Sequence, residues 1–374
     1  MEKTRSVLLL KEDGDLTDKI QPTTISSKRV EFYPVSGNDV DKAGYAGNDY
    51  FYAGTDGLQL LSISDGEFIQ TAWDEEFQFS ALASKWGDIF SVTGGYVGAV
   101  TLDGDIVLAL WDAEFRLEEV IDLSAELGVD MRFNDIDVSA DGKNVVYADI
   151  DGLHLYRLDT RQEEDIVSID YENDFEGSQG IIGFSSCGFI ENGKKVLFLA
   201  TQNELPLDYT EEPFEIIGIY DIEEHRMEVN RVGDVLLDGM DVFDGFALLG
   251  PGTELDGTYS NVFYRYDELN GIQSFALTEE GEAYSISPSL DGELVVTSTT
   301  DESAETFRVY ASDTGQLIRV GCLERETAEE ALGGELLLLG TPFILEDGQS
   351  LIMTATMQDN QGNERRGLLK ISFE

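Results

Sequence analysis

Two cysteines and two histidines in 374 residues leave little room for several kinds of chemistry. Cys187 and Cys322 lie far apart and no Cys-x-x-Cys is present, so two buried thiols are expected rather than a disulfide framework. His154 stands in an alternating apolar run and His225 follows Glu223-Glu224. Neither has the i, i+4 partner of a zinc-binding helix or a recognisable Ser/His/Asp setting, and His154 reads as an ordinary strand side chain. Basic residues are also scarce, 24 Lys and Arg against 75 Asp and Glu. Without a basic stripe to meet phosphates, nucleic-acid binding is not expected. No apolar run approaches the ~20 residues that a membrane-crossing helix needs. The short run Val7-Leu8-Leu9-Leu10 is cut off by Lys11-Glu12-Asp13 before a signal-peptide core could form, which predicts cytoplasmic synthesis without a signal peptide. No Pro- or Ser-rich linker interrupts the chain, so residues 1–374 are expected to form one domain.

The excess of one charge sign is the first positive signal. The formal net charge is −51, against a magnitude of about 2–8 typical of a small domain. Carboxylates at this density repel one another in dilute buffer, whereas molar salt shortens the screening length to about 3 Å. The acidic residues are spread through the whole chain rather than gathered in a tail, and the ten lysines are outnumbered by fourteen arginines. Both features fit a halophilic protein; an acidic scaffold for basic partners or cations is the competing explanation.

The second signal is a repeat. A turn-forming glycine sits between apolar, period-two runs at Gly47, Gly87, Gly142, Gly193, Gly245, Gly292 and Gly348, with gaps of 40, 55, 51, 52, 47 and 56 residues. That is the period of a four-stranded unit. Five of the seven follow Asp or Asn, the pairs that tolerate positive φ in a hairpin, and each precedes a short strand such as Val145-Val146-Tyr147 or Leu294-Val295-Val296. A second landmark keeps step with the first six: an aspartate closing a strand, at Asp65, Asp112, Asp159, Asp221, Asp267 and Asp313.

The turns Ser139-Ala140-Asp141-Gly142 and Ser289-Leu290-Asp291-Gly292, with the hairpin Asp313-Thr314-Gly315, resemble the a-to-b and c-to-d turns of the WD40-like and YVTN-like β-propeller family. The resemblance implies an all-β fold, a seven-bladed propeller of four-stranded antiparallel blades. The seventh repeat runs out after Arg365–Glu374, which supplies strand c. An N-terminal strand is therefore expected to complete it, with Ser6–Lys11 as the first candidate and Arg29–Val35 as the alternative. Such closure removes sheet edges.

No catalytic constellation is found. Gly94-Gly95-Tyr96-Val97-Gly98 lacks a Lys at P-loop spacing and precedes no helix, so it reads as a b-to-c loop. Carboxylate pairs are too abundant to be diagnostic. Asp135 and Asp137, like Asp149 and Asp151, would share a strand face, but they lack the spacing of a calcium loop. Neither a cofactor nor a metal is expected, apart from weak cation binding by surface carboxylates. The repeats differ chiefly in b-to-c insertions: 202–214 in the fourth, Gly94 to Asp105 in the second and 250–259 in the fifth. Insertions on one face often mark a binding surface. Leu205, Leu207, Tyr209 and Phe214, with Tyr96 and Tyr259, are the candidate partner-binding residues. Segment 324–332 is the one that reads as helical, on that same face.

Three function classes remain: a non-catalytic interaction or assembly module, as host scaffold or virion or tail component; a propeller hydrolase or lyase with a site at the channel mouth; and a sensor or carbohydrate-binding subunit using Tyr96, Tyr209 and Tyr259.

Overall fold

The structure, a computed structural model, describes residues 23–26, 29–34, 43–45, 50–54, 58–64, 67–74, 89–102, 105–127, 133–169, 180–203, 214–233, 235–237, 239–250, 252–254, 261–277, 286–300, 303–345 and 348–373. Its unit is a meander of four antiparallel strands, a to d. In one such unit Phe133–Val138, Asn144–Asp149, Gly152–Arg157 and Gln162–Ser168 pair in sequence order. Register sets the faces. Val145 is opposite Tyr156 and Val146 opposite Leu155, and because side chains alternate, the first pair points to one neighbouring sheet and the second to the other. Both faces are covered, so strand b is apolar almost throughout and buried from Val145 to Asp149.

Six blades are joined in this way, here labelled A (89–122), B (133–168), C (181–233), D (240–276), E (287–324) and F (334–372). Five shared cores link them in order. Val97 and Leu108 meet Val145 and Tyr147 between A and B; Val146 and Leu155 meet Phe198 and Ile216 between B and C. Leu197 and Ile217 meet Met240 and Ala247, Leu248 and Phe263 meet Val295 and Tyr310, and Val296 and Phe307 meet Leu351 and Leu369. Truncating one such side chain to Ala costs about 2–5 kcal/mol.

The expected seven blades are corrected to six packed blades. Segment 43–74 does form four antiparallel strands, Ala43–Tyr45, Tyr50–Gly54, Leu58–Ser64 and Glu67–Asp74. The shared cores that are described, however, join blades A to F, six in all. Turn landmarks report hairpins; they carry no information about what a hairpin packs against. Nor are the six uniform. Blade E gains a parallel strand, Thr23–Thr24, beside Gly321 and Cys322, and blade F splits its inner strand into Gly334–Leu339 and Phe343–Ile344.

The described turn glycines at 142, 193, 245, 292 and 348 all have positive φ, from 64° to 99°. At Gly142 the Ser139 Oγ donates to Asp141 Oδ1 (2.8 Å) and accepts from the Asn144 N–H (3.0 Å), and the Ser289 turn repeats this pattern. The recurring aspartates are turn acceptors too: Asp112, Asp221 and Asp267 each take N–H groups two to four residues ahead, at 2.7–3.0 Å. Blade A corrects one landmark. Its a-to-b turn is Thr93-Gly94, between Ile89–Val92 and Gly95–Leu102, and not a b-to-c loop. Gly87 lies outside the described residues. From Gly94 to Asp112 is 18 positions, close to the 17 from Gly142 to Asp159, so the second repeat has no long insertion.

The outer strand of blade F is Val30–Pro34, antiparallel to Glu364–Ser372 with Val30 opposite Ile371 and Phe32 opposite Leu369. The Arg29 guanidinium donates to the Phe373 carbonyl. Of the two candidates for that place, the alternative one is thus paired, and Ser6–Lys11 lies outside the described residues. Burying Val30 contributes about 1.5–3 kcal/mol, and half-buried Phe32 packs against the same core. Deleting residues 1–35 is expected to lower the melting temperature by about 10 °C or more and to promote aggregation through the bared 364–372 edge. Deleting residues 1–11 should shift it by less than about 2 °C. Differential scanning calorimetry of both truncations checks this; equal melting of the first truncation and the full chain would remove the closing role of Val30–Pro34.

Candidate interaction face

The b-to-c turns and the d-to-a connections lie on one side of the blades. Direct evidence comes from Val235–Leu237, which connects blades C and D, and Gly252–Glu254, which follows strand b of blade D. They form a two-stranded antiparallel ladder with Leu236 opposite Thr253. The expected insertion of the fifth repeat is therefore partly an ordered strand. The expected helix is also present, as Arg325–Leu332 between blades E and F. Gly333 ends it in the left-handed conformation (φ 69°), donating to the Glu329 carbonyl.

This helix is fastened to the inner strand of blade F. Glu329 Oε1 accepts from Arg325 Nε (3.1 Å) and from the Leu336 N–H (3.4 Å), and the Arg325 guanidinium donates to the Leu336 carbonyl. Leu336 is thereby held in the core, and a register shift follows it. Leu337 and Leu338 are left 41% and 65% exposed. Beside them an open cavity of about 460 Å³ is lined by Glu329, Glu330, Gly333, Gly334, Glu335 and Asn360, the last in the b-to-c turn of blade F. Ile150, 72% exposed, tops the corresponding turn of blade B. Apolar side chains beside carboxylates can hold an apolar surface with a basic rim.

Blade C carries a long b-to-c connection on this side. Phe214 opens its strand c and is half-buried, with the Arg231 guanidinium 4.0 Å from the ring centroid. The next residue, Glu215, is 4% exposed. Its Oε1 accepts from Thr201 Oγ1 at 2.9 Å, whereas its Oε2 has no hydrogen-bond partner. Burial raises its pKa from 4.5 to about 7, against the lowering effect of the Thr201 bond.

Leu205, Leu207, Tyr209 and Tyr259 lie outside the described residues. Tyr96 is brought elsewhere. It sits just after the a-to-b turn of blade A, on the opposite side, buried edge-on against Phe115 with ring centroids 5.7 Å apart. Sequence reading missed Glu215 and the Leu337–Leu338 pair. The run Leu336-Leu337-Leu338-Leu339 was a usable sign, since four successive leucines cannot all face one core.

His154 is more than an ordinary strand side chain. Its Nε2 meets Asp149 Oδ1 at 3.1 Å and its Nδ1 meets Asp165 Oδ1 at 2.9 Å, with the ring stacked on Tyr147. Burial lowers the imidazole pKa, but the hydrogen bonds and charge of Asp149 and Asp165 outweigh it and the net shift is upward. Asp149 moves down for the reciprocal reason. Ser168 donates to Asp165 rather than to the imidazole, so the group is a clamp on the b-to-c turn and not a catalytic triad. No group of three or more His, Cys, Asp or Glu able to hold a metal occurs among the described residues.

The two raised values act in the same direction on stability. The contribution of protonated His154 is complete below its unfolded value near 6.5 and is lost as pH rises through its raised folded value. Glu215 is tolerated while neutral and becomes a burden as pH rises from 4.5 through about 7, worth about 3 kcal/mol at one pKa unit per 1.36 kcal/mol. With choline as the only salt cation, stability should therefore fall between pH 5 and 8, and Glu215→Gln should remove most of that fall. Urea midpoints at the two pH values decide it; identical pH dependence in the variant would show that Glu215 does not titrate there.

No protein-family model and no curated protein sequence matches this chain. Solved structures do. The Myceliophteria thermophila Cps50 (Swd1) β-propeller domain superposes with a TM-score of 0.56 at 10% identity, covering 92% of this chain and 99% of that one. The WD40 repeats of RRP9 give 0.52 at 9% identity, over 95% and 99%. Kluyveromyces lactis Hsv2 gives 0.51 at 10% identity, over 90% and 100%. At such identities the likeness speaks for the fold alone, and that fold is the β-propeller.

Proposed function

We propose that this chain is a non-catalytic protein-interaction and assembly module whose docking surface is the side bearing the b-to-c turns and d-to-a connections. The observation that carries the reading is the exposed Leu337–Leu338 pair, held out beside an acid-lined cavity by a helix that fixes the preceding residue in the core. Exposed leucines next to a polar rim are the composition of a docking patch. The fold supports it by analogy, since WD40 propellers typically serve as interaction scaffolds. The partner is a protein. No helix among the described residues is long and apolar enough to cross a membrane. We further propose a salt-adapted setting, an organism or its virus, with assembly into a virion or tail as the route by which a chain made in the cytoplasm would leave it; the net charge of −51 motivates this part.

Two variants test the interaction: replacement of residues 204–213 by Asn-Gly, and the double change Leu337→Asp, Leu338→Asp. Both should melt within about 3 °C of the unmodified chain, because Leu337 and Leu338 are exposed and the first change leaves strands b and c of blade C in place. Each should weaken reconstitution with the co-purifying partner by at least about 10-fold, the effect of losing about 1.4 kcal/mol. Folded variants that both assemble with unchanged affinity would overturn the assignment of this side. For the salt-adapted setting, the melting temperature should rise steeply with KCl from about 0.1 M toward the molar range; a flat response would favour an acidic scaffold instead.

A further inference from the structure

Glu215 and Asn203 stand at the two ends of the connection 204–213, and both carry an oxygen atom sealed from solvent without a donor. Glu215 Oε2 and Asn203 Oδ1 are the two atoms. Thr201 is directly opposite Glu215 and Gln202 is opposite Phe214. Asn203 prolongs the same strand, because its N–H still donates to the Gly180 carbonyl (2.9 Å), the next rung after Ile181 opposite Gln202. Asn203 therefore shares a face with Thr201 and is the diagonal neighbour of Glu215. Diagonal pairs lie about 7–8 Å apart at Cα, within reach of side chains of this length. Both sit toward the interface with blade D, continuing the row of Leu197, Leu199 and Ile217.

Among the described residues, no basic group is set against the carboxylate. Arg231 is opposite Ile216 and turns to the other face, over Phe214. The segment packed nearest this strand from the neighbouring connection, Val235–Leu237, contains no Lys or Arg. Two acceptors facing the same buried space without a donor are unfavourable unless something positive lies between them, because an unmet buried oxygen costs about 1–3 kcal/mol and a charged one more.

We propose that Glu215 Oε2 and Asn203 Oδ1 are ligands of a monovalent alkali cation bound at the stem of the blade C connection. The donor chemistry selects the class. A carboxylate and an amide oxygen are hard ligands, unsuited to soft or borderline metals. Their single formal charge neutralises one positive charge, whereas a divalent ion would leave a net charge in a buried site and normally takes six to eight oxygens when it is calcium. Glu215 is 4% exposed and its Oε2 meets no donor, so the site accepts the bare carboxylate poorly. Ion binding and protonation are alternative ways of meeting that need, so they compete. Because the ligands flank positions 204–213, the ion fixes the spacing of the ends from which that connection departs. The site makes stability depend on which cation is present, beyond the screening that any salt provides.

Thermal melts at pH 8 in KCl, NaCl and choline chloride of equal ionic strength, about 1 M, separate the two effects, since choline screens without fitting a small oxygen site. The unmodified chain should melt about 3–6 °C higher in K⁺ or Na⁺ than in choline. In Glu215→Gln that gap should fall below about 1 °C, and in Asn203→Ala it should shrink by about half, whatever the absolute stability of either variant. The second substitution leaves the carboxylate in place, so the proposal stays testable if the first misfolds. Crystals soaked in thallium(I), a heavy stand-in for K⁺, should show anomalous density beside Glu215 Oε2. Equal melting of the unmodified chain in K⁺ and choline, or a gap that persists in Glu215→Gln, would overturn the site. Neither readout involves a protein partner, so its failure is distinct from failure of the docking surface.

Discussion

The inner strand of each blade has a partner on one side only, and everything else depends on how its free edge is satisfied. Blade B shows the solution. Asp135 Oδ2 accepts the Cys187 N–H of blade C at 2.9 Å, and Asp137 Oδ2 accepts the Phe189 N–H at 2.7 Å. The other oxygens are used at home, taking the Ile136 and Val138 N–H groups. The Asn134 side chain donates to the Phe184 carbonyl, and Ser186 of blade C passes the pattern on by accepting the Met240 N–H of blade D. An edge that could template aggregation is thus read by the neighbouring blade. Charge-assisted bonds of this kind contribute about 1.5–3 kcal/mol each, and a buried N–H left unmet costs about as much. The spacing they impose is tight. A Cβ at Gly188 would come within 2.7 Å of Val242 and 3.1 Å of Asp137 Oδ2, so the approach of three blades requires glycine there. Only with the inner strands at this distance can the apolar faces of successive blades meet in shared cores.

The same chemistry accounts for part of the acidic composition. Aspartates at 112, 141, 221, 267, 291 and 359 each accept backbone N–H groups of the turn that follows them, work that no lysine could do. The ion pairs that many carboxylates make are exposed, as between Arg116 and Asp112 or Arg226 and Glu228, and pairs of that kind add little. Most of the charge excess is therefore not cancelled within the chain. Its repulsion is left to the solvent ions, which is the physical content of the salt dependence proposed above.

Much of the blade is legible in the residues because turn chemistry is local. Positive φ at Gly142 and Gly292, the Ser-x-Asp-Gly bonds and the helix 325–332 all follow from a few neighbouring side chains. Errors arose where a local signal was ambiguous or the answer lay elsewhere in the chain. Gly87 and Gly94 are both plausible turn glycines, and only strand pairing selects the second. Seven hairpin units imply seven blades only if each packs on its neighbours, and the described cores join six. Parity placed Asp135 and Asp137 on one face, as it did Asp149 and Asp151. It could not tell that the first pair meets the edge of another blade, nor that Asp149 is held by His154. Glu215 was invisible for the same reason: among 75 acidic residues, nothing in its own neighbourhood marks it as one buried without a full set of partners.

The two sides of the molecule consequently differ in kind. On the side of the a-to-b and c-to-d turns, connections are short and their polar groups are met by the turn itself, as Asp221 and Asp267 show. On the other side the b-to-c connection ranges from the two residues Ile150 and Asp151 in blade B to the long passages between Gln202 and Phe214 in blade C and between Leu249 and Val262 in blade D. Exposed Leu337 and Leu338, the acid-lined cavity and the partly unmet Glu215 are all found there. Apolar exposure alone does not separate the two sides, since Leu269 in the c-to-d turn of blade D is 95% exposed; what the variable connections add, among the described residues, is the sealed and unmet oxygen pair of Glu215 and Asn203, placed where connection length can change without disturbing the inner-strand contacts.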